Sequence, residues 1–413
     1  MKQKFFALLL IFATGLVSAP AHAAGKKKRP PSEASPAASL AAEDGVAEAR
    51  LIDLYRLIGA GHTREAFAKA ERLVQDHPNF QLAQLVYGDL LSSRSRALQN
   101  FGDIPGALPQ GAAANLAELR QESQMRLLAL RERPPVGTLP SQFLALSARN
   151  KHAIAVDASR SRLYLFENTS HGLKLVADYY ISVGKSGIEK TVEGDLRTPL
   201  GVYFITSNLD RKSLKDFYGS GALPINYPNV LDSKRGKTGS GIWLHGTPPN
   251  QFSRAPQASD GCVVLANPDL ERIIRTVEVR TTPVVISQKL DWVLPHSVHA
   301  ASKPFEDALG AWRKAKSSGN VEHLLSFYTS DFNSNNGKTL SEWVPGLRSE
   351  LSKTRGHPIQ LKDLSYLRWT DASDTMVVTF GEVADGARNG TTKRQYWTLQ
   401  GRQWKIFYEG IIG

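Results

Sequence analysis

Cys262 is the only cysteine in the chain of 413 residues, and the residues around it could make it a nucleophile. A thiol is mostly protonated at neutral pH, so it needs a base or a cation nearby to become the thiolate that attacks a carbonyl. His245, the nearest imidazole in the sequence, ends a short apolar segment, Gly241–His245. The pair predicts a cysteine nucleophile with a histidine base. The alternative for Cys262 is a buried, unreactive thiol, which is common in proteins.

The residues next to Cys262 are suited to acyl transfer. Gly261 has no Cβ, so the backbone can approach a substrate closely, and the amide N–H groups of Gly261 and Cys262 could bind the oxyanion of a tetrahedral intermediate. Downstream, Asn267-Pro268-Asp269 is typical of a helix start, with Asn267 as the N-cap and proline at the first helical position. This pattern predicts a helix over about residues 268–277 that supports the loop.

The elements that must position this pair are predicted to be β-strands, because the hydrophobic pattern changes to a period of two from about Lys151. The candidate strands are His152–Asp157, Ser161–Glu167, Lys174–Ser182, Gly201–Thr206, Gly241–His245 and Pro283–Ser287. Together they predict a mostly-β central domain over residues 150–288.

The region before this domain, residues 46–135, is predicted to be an all-α segment. Apolar residues recur at helical spacing in three runs, which are separated at Gly59–Thr63 and at His77–Asn79. The helix-turn-helix order resembles tetratricopeptide repeats, which are docking modules, but it covers little more than one repeat where stable arrays need about three. The pattern therefore favours a plain helical bundle that packs on the next domain.

The region after it, residues 303–413, has helical patterns first and strand patterns afterwards, which predicts an α+β unit. The helical patterns are Phe305–Lys316, Val321–Tyr328 and Leu340–Leu351, and the strand patterns lie near Ile359–Trp369, Thr375–Glu382, Arg394–Leu399 and Gln403–Tyr408. The opening Phe305–Leu309, Trp312 and the Phe327-Tyr328 turn resemble the nuclear transport factor two-like cone fold. Both terminal domains could dock envelope proteins.

The N-terminus predicts export. Lys2 and Lys4 precede an apolar run, Phe5–Val17, and Ala21-His22-Ala23 has small residues where a signal peptidase reads them, so residues 1–23 are predicted to be a signal peptide. A retained membrane anchor is the alternative, but the run is shorter than the roughly 20 apolar residues that span a bilayer. Residues 24–45 are rich in Ala, Pro, Ser and Lys and are predicted to be a disordered tether.

The composition limits the classes of partner that the protein is expected to bind. The net charge is +12, but the Lys and Arg residues are scattered, so a nucleic-acid-binding function is not favoured. A basic surface suits an anionic cell wall equally well. An exported protein with one cysteine cannot form an internal disulfide, so its thiol stays free in an oxidising compartment.

With these residues in place, the central block resembles the YkuD-type L,D-transpeptidase catalytic domain, over about residues 150–288. The signature of that family is a strand-borne His, a spacer, then Ser or Thr, a variable residue, Gly and Cys, and His245, Ser259, Gly261 and Cys262 match it in order. The segments Thr198–Phe204 and Val156–Phe166 are similar to two further segments of the family.

The resemblance implies a two-step acyl transfer on peptidoglycan stem peptides, with no metal or organic cofactor. The Cys262 thiolate attacks the carbonyl of the L-centred residue, D-alanine leaves, and an amine or water resolves the thioester. The resemblance also implies that the Gly246 carbonyl orients His245. Ser259 is then expected to shape the loop, and Asp260 and Thr247 are expected to face the substrate groove.

The sequence departs from the family pattern at two positions. Asp260 stands where His or Arg is usual, and its carboxylate should raise the pKa of the thiol. Val264 stands where many relatives carry Arg or Asn. A branch of the family with altered motifs is hydrolytic, so hydrolysis of peptidoglycan–protein or L,D-peptide bonds is an alternative to transpeptidation. A wall-binding scaffold with a disabled site is a second alternative.

Overall fold

The computed structural model describes residues 43–104, 106, 108–354, 358–386 and 389–412. The predicted signal peptide and residues 24–42 of the predicted tether lie outside them. At the end of the predicted tether, strand β1 (Glu43–Asp44) pairs in parallel with a strand of the central domain. Within the described residues, no helix combines the length and the apolar character that crossing a membrane requires.

The N-terminal segment is helical, as predicted. Its four helices are α1 (Val46–Gly59), α2 (Thr63–Asp76), α3 (Gln81–Ser92) and α4 (Gln110–Arg131). Their apolar faces form one buried cluster that also contains Phe252 and Ala266 of the central domain. The segment therefore packs on the next domain, which is the arrangement that the sequence favoured.

A buried ion cluster joins the helical segment to the central sheet. Arg126 in α4 lies 2.7 Å from both Glu48 in α1 and Glu122, and Arg162 lies 2.8 Å from Glu48. Burial alone would raise the pKa of Glu48, but Arg162 and Arg126 lower it to about 2. Removing one partner from such a cluster is costly, because it leaves a buried charge uncompensated.

The central domain is β-rich, which confirms the predicted fold class. Two short strands, β2 (Leu139–Pro140) and β3 (Phe143–Ala145), precede it, and β14 (Trp292–Val293) follows it. Its own strands are β4 (His152–Asp157), β5 (Arg162–Thr169), β6 (Gly172–Gly184), β7 (Gly201–Phe204), β8 (Leu209–Asp210), β9 (Gly221–Pro224), β10 (Trp243–His245), β11 (Gln257–Ser259), β12 (Val263–Leu265) and β13 (Pro283–Ser287). The main path of the large sheet runs β7-β13-β4-β5-β6-β12-β10-β9-β8. Two helices, α5 (Val230–Lys234) and α6 (Asn267–Thr276), complete the domain.

Four of the six predicted central strands have different bounds: β5 and β6 extend to Thr169 and from Gly172 to Gly184, and β7 and β10 are shorter than predicted. Strand β10 begins at Trp243 rather than Gly241, because Gly241 has φ +73°, a left-handed conformation that a strand does not use. Strand β7 ends at Phe204 rather than Thr206, and Ile205 keeps one isolated bridge to Ile225.

The C-terminal domain is α+β, which also confirms the prediction. Its helices are α7 (Pro295–Ser318), α8 (Val321–Leu325) and α9 (Leu340–Thr354), and its strands are β15 (Tyr328–Ser334), β16 (Ile359–Thr370), β17 (Asp374–Ala384), β18 (Thr391–Gln400) and β19 (Gln403–Ile411). They form a sheet in the order β15-β19-β18-β17-β16-β3, so a strand from before the central domain forms one end.

Two helix boundaries of this domain were predicted wrongly. Helix α7 begins ten residues before the predicted Phe305 and contains Pro304 in its interior, where a proline removes one backbone hydrogen bond. Helix α8 ends at Leu325 instead of Tyr328, because Tyr328 starts a strand that pairs with Ile406.

Candidate active site

The two predicted catalytic residues lie on neighbouring strands. Strands β10 and β12 are parallel, with Leu244 opposite Val263 and His245 opposite Val264. Cys262 directly precedes β12 and lies two positions before Val264, the residue opposite His245. Residues two apart in a strand share one face of the sheet. The pairing of β10 with β12 therefore brings the backbone of Cys262 within two register positions of His245.

The hydrogen bond that a base and its nucleophile would share is not formed in this structure. The Cys262 thiol instead donates to the Gly241 carbonyl, with 3.5 Å between sulfur and oxygen. Catalytic hydrogen bonds are often long without substrate and tighten when it binds. A shift of the thiol away from Gly241 is therefore part of any attack step.

His245 is held in a fixed tautomer. Its Nδ1 lies 2.7 Å from the Gly246 carbonyl oxygen, which accepts the Nδ1 proton and leaves Nε2 as a proton acceptor. The contact that the family resemblance implied is thus present. The ring is 1% exposed and lies 5.1 Å from the Tyr218 ring and 5.8 Å from the Phe217 ring, centroid to centroid. Burial lowers the pKa of His245 to about 4, so the imidazole is neutral at pH 7.

The thiol is also neutral at rest. Burial, with a contribution from the Asp260 carboxylate, raises the pKa of Cys262 to about 11, although the backbone of Trp243 and the charges of Arg254 and Lys190 lower it in part. Neutral thiol and neutral imidazole suit a mechanism in which the proton moves during attack. A preformed thiolate–imidazolium pair would need the opposite pKa order.

Ser259 organises the loop that carries the thiol. Its hydroxyl donates to the Cys262 carbonyl at 2.6 Å and accepts from the Gly261 N–H at 3.1 Å. Ser259 thus shapes the loop, as expected. Gly261 is not available for its predicted role as an oxyanion donor in this structure. Its N–H already donates to the Ser259 hydroxyl and does not point to a substrate.

Glycine is required at position 261 for a second reason. Its φ is +123°, and a Cβ there would lie 2.7 Å from the Arg197 carbonyl oxygen. The neighbouring Thr198 is fully buried, and its hydroxyl accepts from the Gly184 N–H at 2.8 Å and donates to the Gly261 carbonyl at 2.9 Å. The Thr198 segment was noted in the sequence only as a family likeness, and the structure places it directly against the loop.

The prediction that Thr247 faces the substrate groove was wrong. Thr247 is 1% exposed, and its hydroxyl donates to the Gln251 carbonyl at 2.8 Å, within its own loop.

Asn267 was also misassigned, because Ala266 is the N-cap of α6 and uses no side-chain cap. The Asn267 side chain instead accepts from the Ser220 N–H and donates to the Thr247 carbonyl, both at 2.9 Å. A Cβ on Gly246 would lie 2.0 Å from that side chain.

Asp260 lines a cavity of about 640 Å³, together with Phe217 and Arg254. Its carboxylate is exposed and lies 2.8 Å from the Lys185 ammonium, which offsets its charge. One wall of the cavity comes from the helical segment, through Gln81, Asn115 and Glu118. The sequence interpretation did not anticipate that the helical segment contributes to this cavity.

The helical segment also holds the loop that connects His245 to Cys262. The Phe252 ring stacks on Phe80, with centroids 4.2 Å apart, and the Asn79 amide donates to the Pro249 carbonyl at 3.0 Å. The Ser253 hydroxyl donates to Glu122 at 2.7 Å. Arg254 follows Ser253 in this loop and lines the same cavity. The sequence interpretation did not single it out, although it lies in the spacer between the two predicted catalytic residues.

In the part of the chain that the structure describes, no group of three His, Cys, Asp or Glu side chains is arranged to hold a metal ion. The chemistry considered below uses the side chains and backbone of the loop residues.

Comparison with protein families identifies two domains. Residues 151–286 match the YkuD family, described as the L,D-transpeptidase catalytic domain, and residues 305–410 match the Cds6 C-terminal NTF2-like domain. No curated protein was found to match the chain significantly.

Solved structures share this architecture. Bd1075 from Bdellovibrio bacteriovorus is 25% identical over 66% of this chain and 98% of its own, with a TM-score of 0.57. The helical cell shape determining protein Pgp2 from Campylobacter jejuni is 21% identical over 71% of this chain and 98% of its own, with a TM-score of 0.53. At that identity the likeness to Pgp2 shows the fold alone.

Proposed function

Since residues 151–286 form an L,D-transpeptidase catalytic domain of the YkuD family, we propose that this protein is a cysteine acyltransferase that acts on peptidoglycan stem peptides. The observation that supports the proposal is the parallel pairing of β10, which ends at His245, with β12, which Cys262 directly precedes. The neutral, oriented imidazole supports the role of His245 as the base.

In the first step Nε2 of His245 takes the thiol proton while the Cys262 sulfur attacks the carbonyl carbon after the L-centre of a tetrapeptide stem. The carbonyl π electrons move to oxygen, and the Cys262 N–H is the proposed donor to that oxyanion. Gly261 can join only if its N–H leaves Ser259. When the intermediate collapses, the C–N bond breaks, His245 returns the proton to the leaving nitrogen, and D-alanine departs.

In the second step an acceptor attacks the thioester carbonyl, His245 takes the acceptor's proton, and the sulfur leaves as the restored thiol. An amine acceptor makes this step transpeptidation. Water as acceptor makes it hydrolysis, which is the second candidate function. Hydrolysis is proposed because Asp260 and Val264 differ from the residues that are usual in relatives.

The substrate site requires export from the cytoplasm, so we place the protein in the periplasm or cell envelope, on the basis of the N-terminal sequence. Sequencing of the mature N-terminus tests this: a chain that begins at Ala24 supports export with cleavage, and an intact Met1 in a membrane fraction supports an anchor instead.

The function is tested by incubating the purified protein with tetrapeptide muropeptides and, separately, with protein-bound peptidoglycan, followed by mass spectrometry. Cross-linked dimers indicate transfer, and a freed tripeptide or freed protein indicates hydrolysis. Cys262→Ala and His245→Gln should lose turnover while retaining the far-UV circular dichroism of the parent. Full turnover by Cys262→Ala would show that the nucleophile is wrong, and an inert but folded parent protein would favour a wall-binding scaffold.

A further inference from the structure

Arg254 is a half-buried cation without an ionic partner. Among the described residues, no side chain or carbonyl forms a salt bridge or hydrogen bond with its guanidinium, which lies instead over the Phe217 ring at 4.7 Å from the centroid. Burial lowers the pKa of Arg254 from its ordinary value. Partial burial removes part of the hydration of this guanidinium, and no anion in the free protein compensates for the loss. A bound anion would compensate for it through charge-assisted hydrogen bonds.

The guanidinium is close to the reacting groups. The Phe217 ring that it covers is the ring that lies 5.8 Å from the His245 imidazole. Burial dominates the raised pKa of Cys262 and the lowered pKa of His245, and the positive charge of Arg254 lowers the pKa of both groups. Arg254 thus lies within electrostatic reach of both groups.

The nearby carboxylates form no ion pair with Arg254, although the charge of Asp260 offsets part of the lowering of its pKa by burial. Asp260 pairs with Lys185 at 2.8 Å, and Glu122 accepts from Arg126 and Ser253, each at 2.7 Å. The remaining charged group on the cavity wall is Glu118, which is exposed on α4.

The loop holds Arg254 rigidly enough to preorganise a binding site. The Tyr180 hydroxyl donates to the Arg254 carbonyl at 2.8 Å, and the Arg126 guanidinium packs on the Tyr180 ring, 4.0 Å from its centroid. The adjacent Ser253 is tied to Glu122. Because the backbone is held on both sides of Arg254, its guanidinium can bind a ligand with little loss of conformational entropy.

We propose that Arg254 binds the carboxylate of the residue that leaves, so that the site selects stem peptides ending in a free α-carboxylate one residue after the cleaved bond. The inference rests on the proposed function. His245 delivers its proton to the leaving nitrogen, so the leaving residue lies next to His245, and the Arg254 guanidinium lies over the Phe217 ring that contacts His245. A carboxylate is the anion whose two oxygens match the guanidinium fork. Val264, which is apolar and buried, cannot supply this contact.

The test compares two tetrapeptide stems that differ only at the last group, a D-alanine carboxylate and a D-alaninamide. Binding to full-length Cys262→Ala protein is measured by calorimetry, and kcat/KM is measured with the parent protein. The carboxylate form should bind at least about 10-fold tighter than the amide, as expected for a charge-assisted contact. In Arg254→Gln that ratio should fall to about 1, and Arg254→Lys should retain part of it. Arg149→Gln, which removes an exposed arginine paired with Asp363, is the matched control and should keep the full ratio.

The two possible failures can be told apart. Equal binding of the two stems, or a carboxylate preference that survives in Arg254→Gln, overturns the assignment of Arg254. Carboxylate-dependent binding that is lost in Arg254→Gln, together with no turnover by the parent protein, would support the assignment and refute the proposed acyl transfer. If Arg254→Gln loses its circular dichroism signal, the acid-to-amide ratio of the parent and of Arg254→Lys decides.

Discussion

The carboxylate of Glu122 in α4 accepts a 2.7 Å hydrogen bond from the hydroxyl of Ser253, in the loop that joins His245 to Cys262. Glu122 also binds Arg126 at 2.7 Å, inside the buried ion cluster. The helical segment and the active-site loop thus share one buried carboxylate. Loss of the contact should loosen the loop without removing any group that touches the substrate.

Ser253→Ala removes the hydrogen bond and leaves the Glu122–Arg126 pair intact. We expect the free energy of unfolding to fall by about 1.5–3 kcal/mol, the usual value for a hydrogen bond to a charged group. The kcat/KM on tetrapeptide stems should fall several-fold because the loop is less ordered. Urea denaturation and steady-state kinetics measure the two effects. Ser352→Ala, an exposed serine in α9 that bonds the Ser349 carbonyl, is the control, and equal behaviour of the two variants would contradict the prediction.

Gly261→Ala should disrupt the thiol loop. The added Cβ would lie 2.7 Å from the Arg197 carbonyl oxygen, at a φ of +123°. Positive φ strain alone costs about 1–2 kcal/mol, and the clash adds to it because the atom that must move belongs to the backbone and not to the end of a flexible side chain. We expect a loss of at least about 3 kcal/mol in the free energy of unfolding, with near-complete loss of turnover.

Gly187→Ala is the matched control for this substitution. Its φ is +89°, but a Cβ there would meet nothing within 4 Å. It should therefore show the conformational cost alone, about 1 kcal/mol, and should keep most of the activity. A Gly261→Ala protein as stable as Gly187→Ala would mean that the loop can move away from Arg197.

Much of the central sheet was predictable because its signals are local. Strands β4 and β13 have the predicted boundaries, since each is a short apolar run between turn residues. The segments that carry His245 and Cys262 were predictable for the same reason, because each adjoins a short apolar run, β10 and β12.

The remaining features depend on partners that are distant in the sequence. Tyr328 enters a strand only because Ile406 is available to pair with it. The Gly261 N–H is unavailable to substrate because Ser259 folds back onto it, and Thr247 turns inward to the Gln251 carbonyl. Arg254 carried no local signal either, because its significance lies in the absence of an ionic partner among the described residues.

The reactivity of the thiol should report its raised pKa. With a pKa of about 11, Cys262 should be alkylated slowly by iodoacetamide at pH 7, with a rate that climbs as the pH approaches 11. Asp260→Asn removes a negative charge and should speed alkylation at pH 8 by roughly twofold, a small effect because the carboxylate is exposed and paired. Lys185→Gln leaves that carboxylate uncompensated and should slow the reaction. Changes of the same sign in both variants would contradict this assignment of charges.

The pH dependence of kcat/KM should have its acidic limb near pH 4. His245 accepts the thiol proton only as the neutral imidazole, and its lowered pKa of about 4 keeps it neutral above that value. The rate should therefore rise through pH 4 and stay level across the neutral range, when measured with tetrapeptide stems in a buffer series of constant ionic strength. An acidic limb near 6.5, the ordinary value for histidine, would show that the imidazole is not desolvated during catalysis.

His245 should also make folding stability depend on pH in the same window. Its pKa is about 4 in the folded chain and 6.5 ordinarily, so between these values the unfolded chain binds more protons and the free energy of unfolding rises with pH. At 1.36 kcal/mol per pKa unit, the contribution is about 3 kcal/mol, fully present above pH 6.5 and lost as the pH falls to 4. Urea denaturation of the parent and of His245→Gln across this range isolates it, because all other groups are common to both. Parallel stability curves for the two proteins would show that the imidazole stays hydrated in the folded state.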